Sequence, residues 1–183
     1  ARQNGGALYG GGDNFVVQNT LIYTNTAYLR GAGIYLTGSG APHVRFNTLF
    51  GNAAEQDGGG VYIDQGTPRV HDNIFDANRA SRGSAVFDSA VTGVNLHHND
   101  YWPESADSQV NGAPGFDRGT DNLNQYPSYA LPVDLSSYAY EDLWKVDFHL
   151  ASGSPIIDKG SNAVLDHDMD GDPRPVNEGP DIG

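Results

Sequence analysis

Apolar and polar positions recur in short strand-like bursts through the first hundred residues. Each burst is introduced by glycine: Gly6-Ala7-Leu8-Tyr9, Gly33-Ile34-Tyr35, Gly60-Val61-Tyr62 and Gly83-Ser84-Ala85-Val86-Phe87. Each copy then runs to an asparagine in similar phase, at Asn19, Asn47, Asn73 and Asn99, and the first three copies carry a second at Asn25, Asn52 and Asn78. Successive copies are spaced by 25 to 28 residues. A strand-rich unit repeating at this interval predicts a solenoid, in which each repeat buries its apolar face only against its neighbours.

One copy holds three strand candidates: Gly60-Val61-Tyr62-Ile63, Pro68-Arg69-Val70-His71 and Asn73-Ile74-Phe75. Three strands per turn predict an all-β, three-sided parallel β-helix of about four coils of ~26 residues each. Alternation in the middle strand places Val16, Val44, Val70 and Leu96 in one inward column. The flanking His43, Arg69 and Asn95, and likewise Arg45, His71 and His97, are expected to face solvent. The asparagines are expected at the turns, where Asn tolerates left-handed backbone, and their amides are expected to stack into structural ladders.

The beat stops near Tyr101-Trp102-Pro103, so the chain divides into coils over 1–102, an irregular segment over 103–147 and a tail over 148–183. The middle segment carries Pro103, Pro114, Pro127 and Pro132 with Tyr126, Tyr129, Tyr138 and Tyr140, and Tyr101 at its border. It is expected to pack aromatic rings over the last coil as a cap, since a β-helix otherwise ends in an open strand edge.

Composition narrows the partners. Lys plus Arg total 10 against 23 Asp plus Glu, a net charge of −13 that argues against nucleic acid. Cysteine is absent and leaves the redox compartment open, and no apolar run is long enough to span a bilayer. No signal-peptide pattern opens the chain, which is expected to be a mature form or a fragment.

The C-terminal sequence is the most specific. It reads Asp147-Phe148-His149-Leu150-Ala-Ser-Gly-Ser-Pro-Ile-Ile-Asp158-Lys-Gly160, then Asp166-His-Asp168-Met-Asp170-Gly171-Asp172-Pro-Arg174-Pro, then Gly179-Pro-Asp181-Ile-Gly183. With Ala113-Pro114-Gly115-Phe116 and the repeated Gly-Gly-x-Val-Tyr and Asn-x-Leu-Phe-x-Asn elements, it resembles bacterial surface β-helix proteins of the choice-of-anchor Q and polymorphic outer-membrane-protein-repeat type. The resemblance implies a right-handed parallel β-helix on or outside a bacterial cell, with no activity common to the family. Members usually continue past Asp-Ile-Gly into an anchoring tail, where this sequence stops at Gly183.

Alignment of Ala1–Gly6 with Arg79–Gly83 puts Ala1 in mid-coil. The first strand ladder is therefore expected to be open, covered either by upstream coils of a longer chain or by another copy stacked head to tail into a filament. Two side-chain groups invite chemistry. Asp166-x-Asp168-x-Asp170-Gly171-Asp172 has the alternate carboxylates of a calcium loop, with Glu178 one residue late as the closing ligand and Asp181 as a substitute. Calcium there would pin the tail and take no part in catalysis. The column His43, Arg45, Arg69, His71 and His97, with His98 and nearby Asp72, Asp76 and Asp100, offers cations to an anionic polysaccharide. The sequence points foremost to a non-catalytic extracellular structural or adhesive protein, forming fibres by stacking of coils. The alternative is a carbohydrate-binding or lyase-type polysaccharide-degrading β-helix.

Overall fold

The computed structural model describes residues 3–89, 94–103, 109–113, 117–131, 145–161, 165–174 and 179–183. Tyr138, Tyr140 and Glu178, with Pro114 and Pro132, lie outside them.

The chain is a parallel β-helix. One wall stacks β1 (Leu8–Gly10), β4 (Ile34–Leu36), β7 (Val61–Ile63), β10 (Val86–Asp88) and β13 (Val110–Gly112) in that order. The next two walls share a sheet because β2 (Val16–Tyr23) and β5 (His43–Phe50) bend through a corner without breaking. Beneath them the same path splits into β8 (Arg69–His71) with β9 (Ile74–Asp76), then β11 (Asn95–His97) with β12 (Asp100–Trp102). A short pair, β3 (Thr26–Ala27) and β6 (Ala53–Ala54), closes the coil. Every strand pair is parallel and in register.

Alternation decides which side chains line the lumen. Ile34, Val61, Val86 and Val110 stack on one wall, Val44, Val70 and Leu96 on the second, and Leu49, Phe75 and Tyr101 on the third, all essentially without solvent contact. Each such side chain contributes about 1.5–3 kcal/mol by leaving water. The intervening residues point out. On the first wall, Tyr9, Tyr35, Tyr62 and Phe87 form an aromatic ladder with ring centroids 4.9, 5.0 and 5.7 Å apart.

In the first coil the expected phase is off by one residue. Val17, not Val16, pairs with Val44 and is buried; Val16 pairs with His43 and is 48% exposed. Likewise Thr20, not Asn19, pairs with Asn47. Thr20 joins the ladder through its backbone N–H, which donates to Asn47 Oδ1, so no amide side chain is needed there.

The corners differ from expectation in a second respect. The ladder amides Asn47, Asn73 and Asn99 do not sit in left-handed backbone; the residues before them do. Asn19, Phe46, Asp72, His98 and Asp121 have φ of 48, 56 and values between, one per coil, forming a left-handed column along the first corner. Thr24, Gly51 and Ala77 repeat the device before Asn25, Asn52 and Asn78. At the third corner the left-handed residues are Gly5, Gly31, Gly58 and Gly83. There a side chain has no room: a Cβ on Gly58 would lie 2.6 Å from Val61 O and one on Gly83 2.3 Å from Val86 O.

The ladder runs on past Trp102. β13 extends the first wall, Thr120 bridges to His97 and Leu123 to Asp100, and Asn122 Oδ1 accepts from the Asn99 N–H at 2.9 Å. The aromatic residues beyond pack sideways. Tyr129, Tyr126 and Phe148 lie against Tyr23, Phe50 and Trp102 on the outside of the third wall. Ile156, Ile182, Leu123 and Leu150 close over Ile74 to make a second, smaller core there.

Candidate functional site

The chemistry-bearing residues gather where the C-terminal tail folds back on the second and third walls. Three members of the left-handed column fasten it. Asn19 Nδ2 donates to His167 O at 2.8 Å, the Arg174 guanidinium lies 5.1 Å from the Phe46 ring centroid, and Ser161 Oγ donates to Asp72 Oδ2 at 2.6 Å. The Gly183 N–H donates to Asp72 O at 3.0 Å, and Arg174 Nη2 donates to Gly183 O at 2.6 Å, which locks the last turn of the tail in place. Burial would raise the Asp72 pKa, but hydrogen bonds from His71 and Ser161 outweigh it and hold the carboxyl below its ordinary value. Burial lowers the pKa of Arg174, with Asp168, Asp181 and Asp72 opposing.

The cation column is contiguous yet largely occupied. His43 and Arg69 are partners on adjacent rungs, as are Arg45 and His71, then His71 and His97, whose rings stack at 4.8 Å. The expectation that His71 faces solvent is corrected: it is buried, and its Nδ1 lies 2.6 Å from Asp72 Oδ2, under the edge of the tail. Arg45 is engaged by Gln18 Oε1 through Nε at 3.1 Å and Nη2 at 2.9 Å. Burial, then the charges of Arg69 and Arg45, lower the His43 pKa, and burial with the neighbouring His71 lowers that of His97. The column thus carries less positive charge at neutral pH than its composition suggests.

The acidic loop closes on itself. Asp168 Oδ1 accepts the backbone N–H groups of Asp170 at 2.9 Å and Asp172 at 2.8 Å, and the Asp166 carbonyl accepts from the Arg174 N–H. Asp170 Oδ2 is 2.9 Å from His149 Nε2, whose Nδ1 is held by Asp147. The hydrogen bond that His149 makes to Asp147, with that to Asp170, raises the His149 pKa despite partial burial. Among the described residues no three His, Cys, Asp or Glu converge as metal ligands. Calcium at Asp166, Asp168, Asp170 and Asp172 would have to displace the His149–Asp170 pair. Glu178 is outside the described residues.

A cleft of about 440 Å³ lies between tail and walls, with Phe46, Thr48, Phe148, His149, Asp170 and Arg174 among its lining. Asp76 and Asp100 lie on the covered third wall. Tyr129 Oη donates to Asp76 Oδ2 at 3.0 Å, and the Gln125 N–H donates to Asp100 Oδ1 at 2.9 Å. Burial pushes the two carboxyls up to about 6 and about 7, and their mutual repulsion adds to the second. Sequence reasoning placed both near the cation column; alternation puts them on the next wall, a distinction that only the bend at the corner reveals.

Asparagine amides stack into two ladders along the coils, whereas Asn19 Nδ2 donates to His167 O in the tail. Asn47, Asn73, Asn99 and Asn122 make one, and Asn25, Asn52 and Asn78 the other. Each interior Nδ2 also donates to a main-chain carbonyl of the preceding coil, as Asn52 does to Ile22 O and Asn78 to Leu49 O.

The family described as the right handed beta helix region matches residues 1–113. The chain belongs to the right-handed β-helix family. No curated protein and no solved structure matches it. Among the described residues of this β-helix, no helix is long and apolar enough to cross a membrane.

Proposed function

We propose that this right-handed β-helix is a non-catalytic structural or adhesive protein of the bacterial exterior, of the choice-of-anchor Q type. It builds fibres or longer rods by stacking coils end to end. The observation that carries this reading is the open edge of the first coil. Among the described residues β1 and β2 are paired on one side only, and Tyr9 is 62% exposed where its ladder equivalents Tyr35 and Tyr62 are buried. One face of the Tyr9 ring stacks on Tyr35, and the exposure of the ring lets it receive a further aromatic rung. Such an edge pairs with whatever parallel strand is offered, whether a coil preceding it in a longer chain or the last coil of another copy.

The walls agree with a scaffold. Asp57 is clamped by Arg30 at 3.1 Å and Arg82 at 2.7 Å, and those guanidinium groups lie 5.3 Å from Tyr62 and 4.7 Å from Phe87. The alternative, a carbohydrate-binding or lyase-type surface at His43, Arg45, Arg69, His71 and His97, draws less support, because Arg45 and His71 are engaged within the protein.

The test is a concentration series by light scattering and negative-stain electron microscopy on the chain and on Tyr9→Lys. Head-to-tail particles lengthening with concentration, and abolished by Tyr9→Lys, are expected. A monomer at every concentration would sink the self-stacking form.

A further inference from the structure

We propose that Asn111 is a self-modification site, which loses ammonia through a cyclic imide and matures to aspartate and isoaspartate while the coil around it stays folded. Asn111 and Gly112 lie on the last rung of the first wall among the described residues, where Asn111 takes the place of Phe87 in the outward column. The Asn111 side chain is exposed, and the Gly112 backbone N–H donates to its Oδ1 at 2.7 Å. That contact brings the backbone nitrogen against the carboxamide it must attack, with no side chain on Gly112 to obstruct ring closure.

The step balances with water as the only co-reactant. Gly112 N gives its proton to solvent base and bonds to Asn111 Cγ, and the Cγ–Nδ2 bond breaks as ammonia leaves. Water then opens the five-membered imide at either carbonyl, giving Asp at one and isoaspartyl linkage at the other. Replacing amide by carboxyl adds one negative charge and about one dalton.

The molecule contains its own control. Asn4-Gly5 is the same dipeptide, but the Gly5 N–H is committed to Arg30 O at 3.0 Å, in a bond between coils. Asp57-Gly58 could form the same imide by losing water, and there the Gly58 N–H is bonded to Arg82 O at 3.1 Å while Asp57 is held by two arginines. A strand ladder therefore protects two of these sites and leaves the third open, although all three share the small residue that makes the reaction fast.

The folded chain is incubated at mildly alkaline pH, and peptides covering Asn4 and Asn111 are followed by mass spectrometry with isoaspartate detection. Ammonia loss at Asn111 at least an order of magnitude faster than at Asn4 is expected, as is its suppression by Gly112→Ala. Equal rates at the two sites, or an Asn111 that stays intact while the urea-unfolded chain converts, would overturn the proposal. Circular dichroism of Gly112→Ala before incubation separates loss of the reaction from loss of the fold.

Discussion

A single ladder amide holds three coils together. Asn73 Nδ2 donates to Asn99 Oδ1 at 3.0 Å and to Val44 O at 2.9 Å, while its Oδ1 accepts from the Nδ2 of Asn47 at 2.9 Å. Truncation leaves several buried polar groups without partners, so Asn73→Ala should cost roughly 2–4 kcal/mol. Asn19→Ala removes one bond to the tail at a half-buried position and should cost about 1 kcal/mol. Urea midpoints at unchanged m-value check the pair, and equal losses would contradict the division between ladder and corner. The two asparagines look alike in sequence because a polar residue suits both an amide ladder and a left-handed corner. From Asn47 onward, period and identity agreed, and the ladder was legible. In the first coil Thr20 does by backbone what asparagine does elsewhere, and nothing in the residue itself says so.

At the scale of elements, the third wall and the segments strapped over it form a proton-sensitive joint. Asp76 and Asp100 face Tyr129 and the backbone of Gln125 under Leu123 and Leu150, and their pKa values stand at about 6 and about 7 against an ordinary 3.8. A carboxyl raised by folding binds its proton more tightly in the native state. Its contribution to stability is therefore full below the ordinary value and is lost as pH rises through the folded one. Asp72 runs the other way: its lowered pKa stabilises above the ordinary value, and that contribution disappears in acid. Docking of the strap should weaken between pH ~5 and ~8, and Asp100→Asn should flatten the decline. Thermal unfolding followed by tyrosine fluorescence across that range checks it; an unchanged slope in Asp100→Asn would assign the effect elsewhere. The strap illustrates what patterning leaves unread. Alternation along β9 puts Ile74 on the outward face, yet it is buried, because Ile156 and Ile182, more than eighty positions further along the chain, cover it.

Across the whole molecule, each coil is supported by its neighbours, so protection should follow position in the stack. Among the described residues β4 and β7 are paired on both sides and β1 on one, and hydrogen exchange should therefore release the amides of Leu8–Gly10 well before those of Ile34–Leu36 and Val61–Ile63. Mass-spectrometric exchange at neutral pH measures the order, and simultaneous release would mean that the coils open as one unit. The global architecture was the most legible level, since a period of ~26 residues with three strands per unit admits few folds. The path of the tail was not, because it depends on which outward positions happen to bind it.

The left-handed column at the first corner joins these scales. Glycine would suit the backbone at Phe46 or Asp72, where a left-handed L-residue costs ~1–2 kcal/mol. Yet Phe46 seats Arg174, and Asp72 receives Ser161 and Gly183. Glycine at either position would relax the coil and loosen the tail in one stroke. The corner therefore works as a row of cleats: the strain of each turn is the cost of having somewhere to tie the strap formed by residues 161–183.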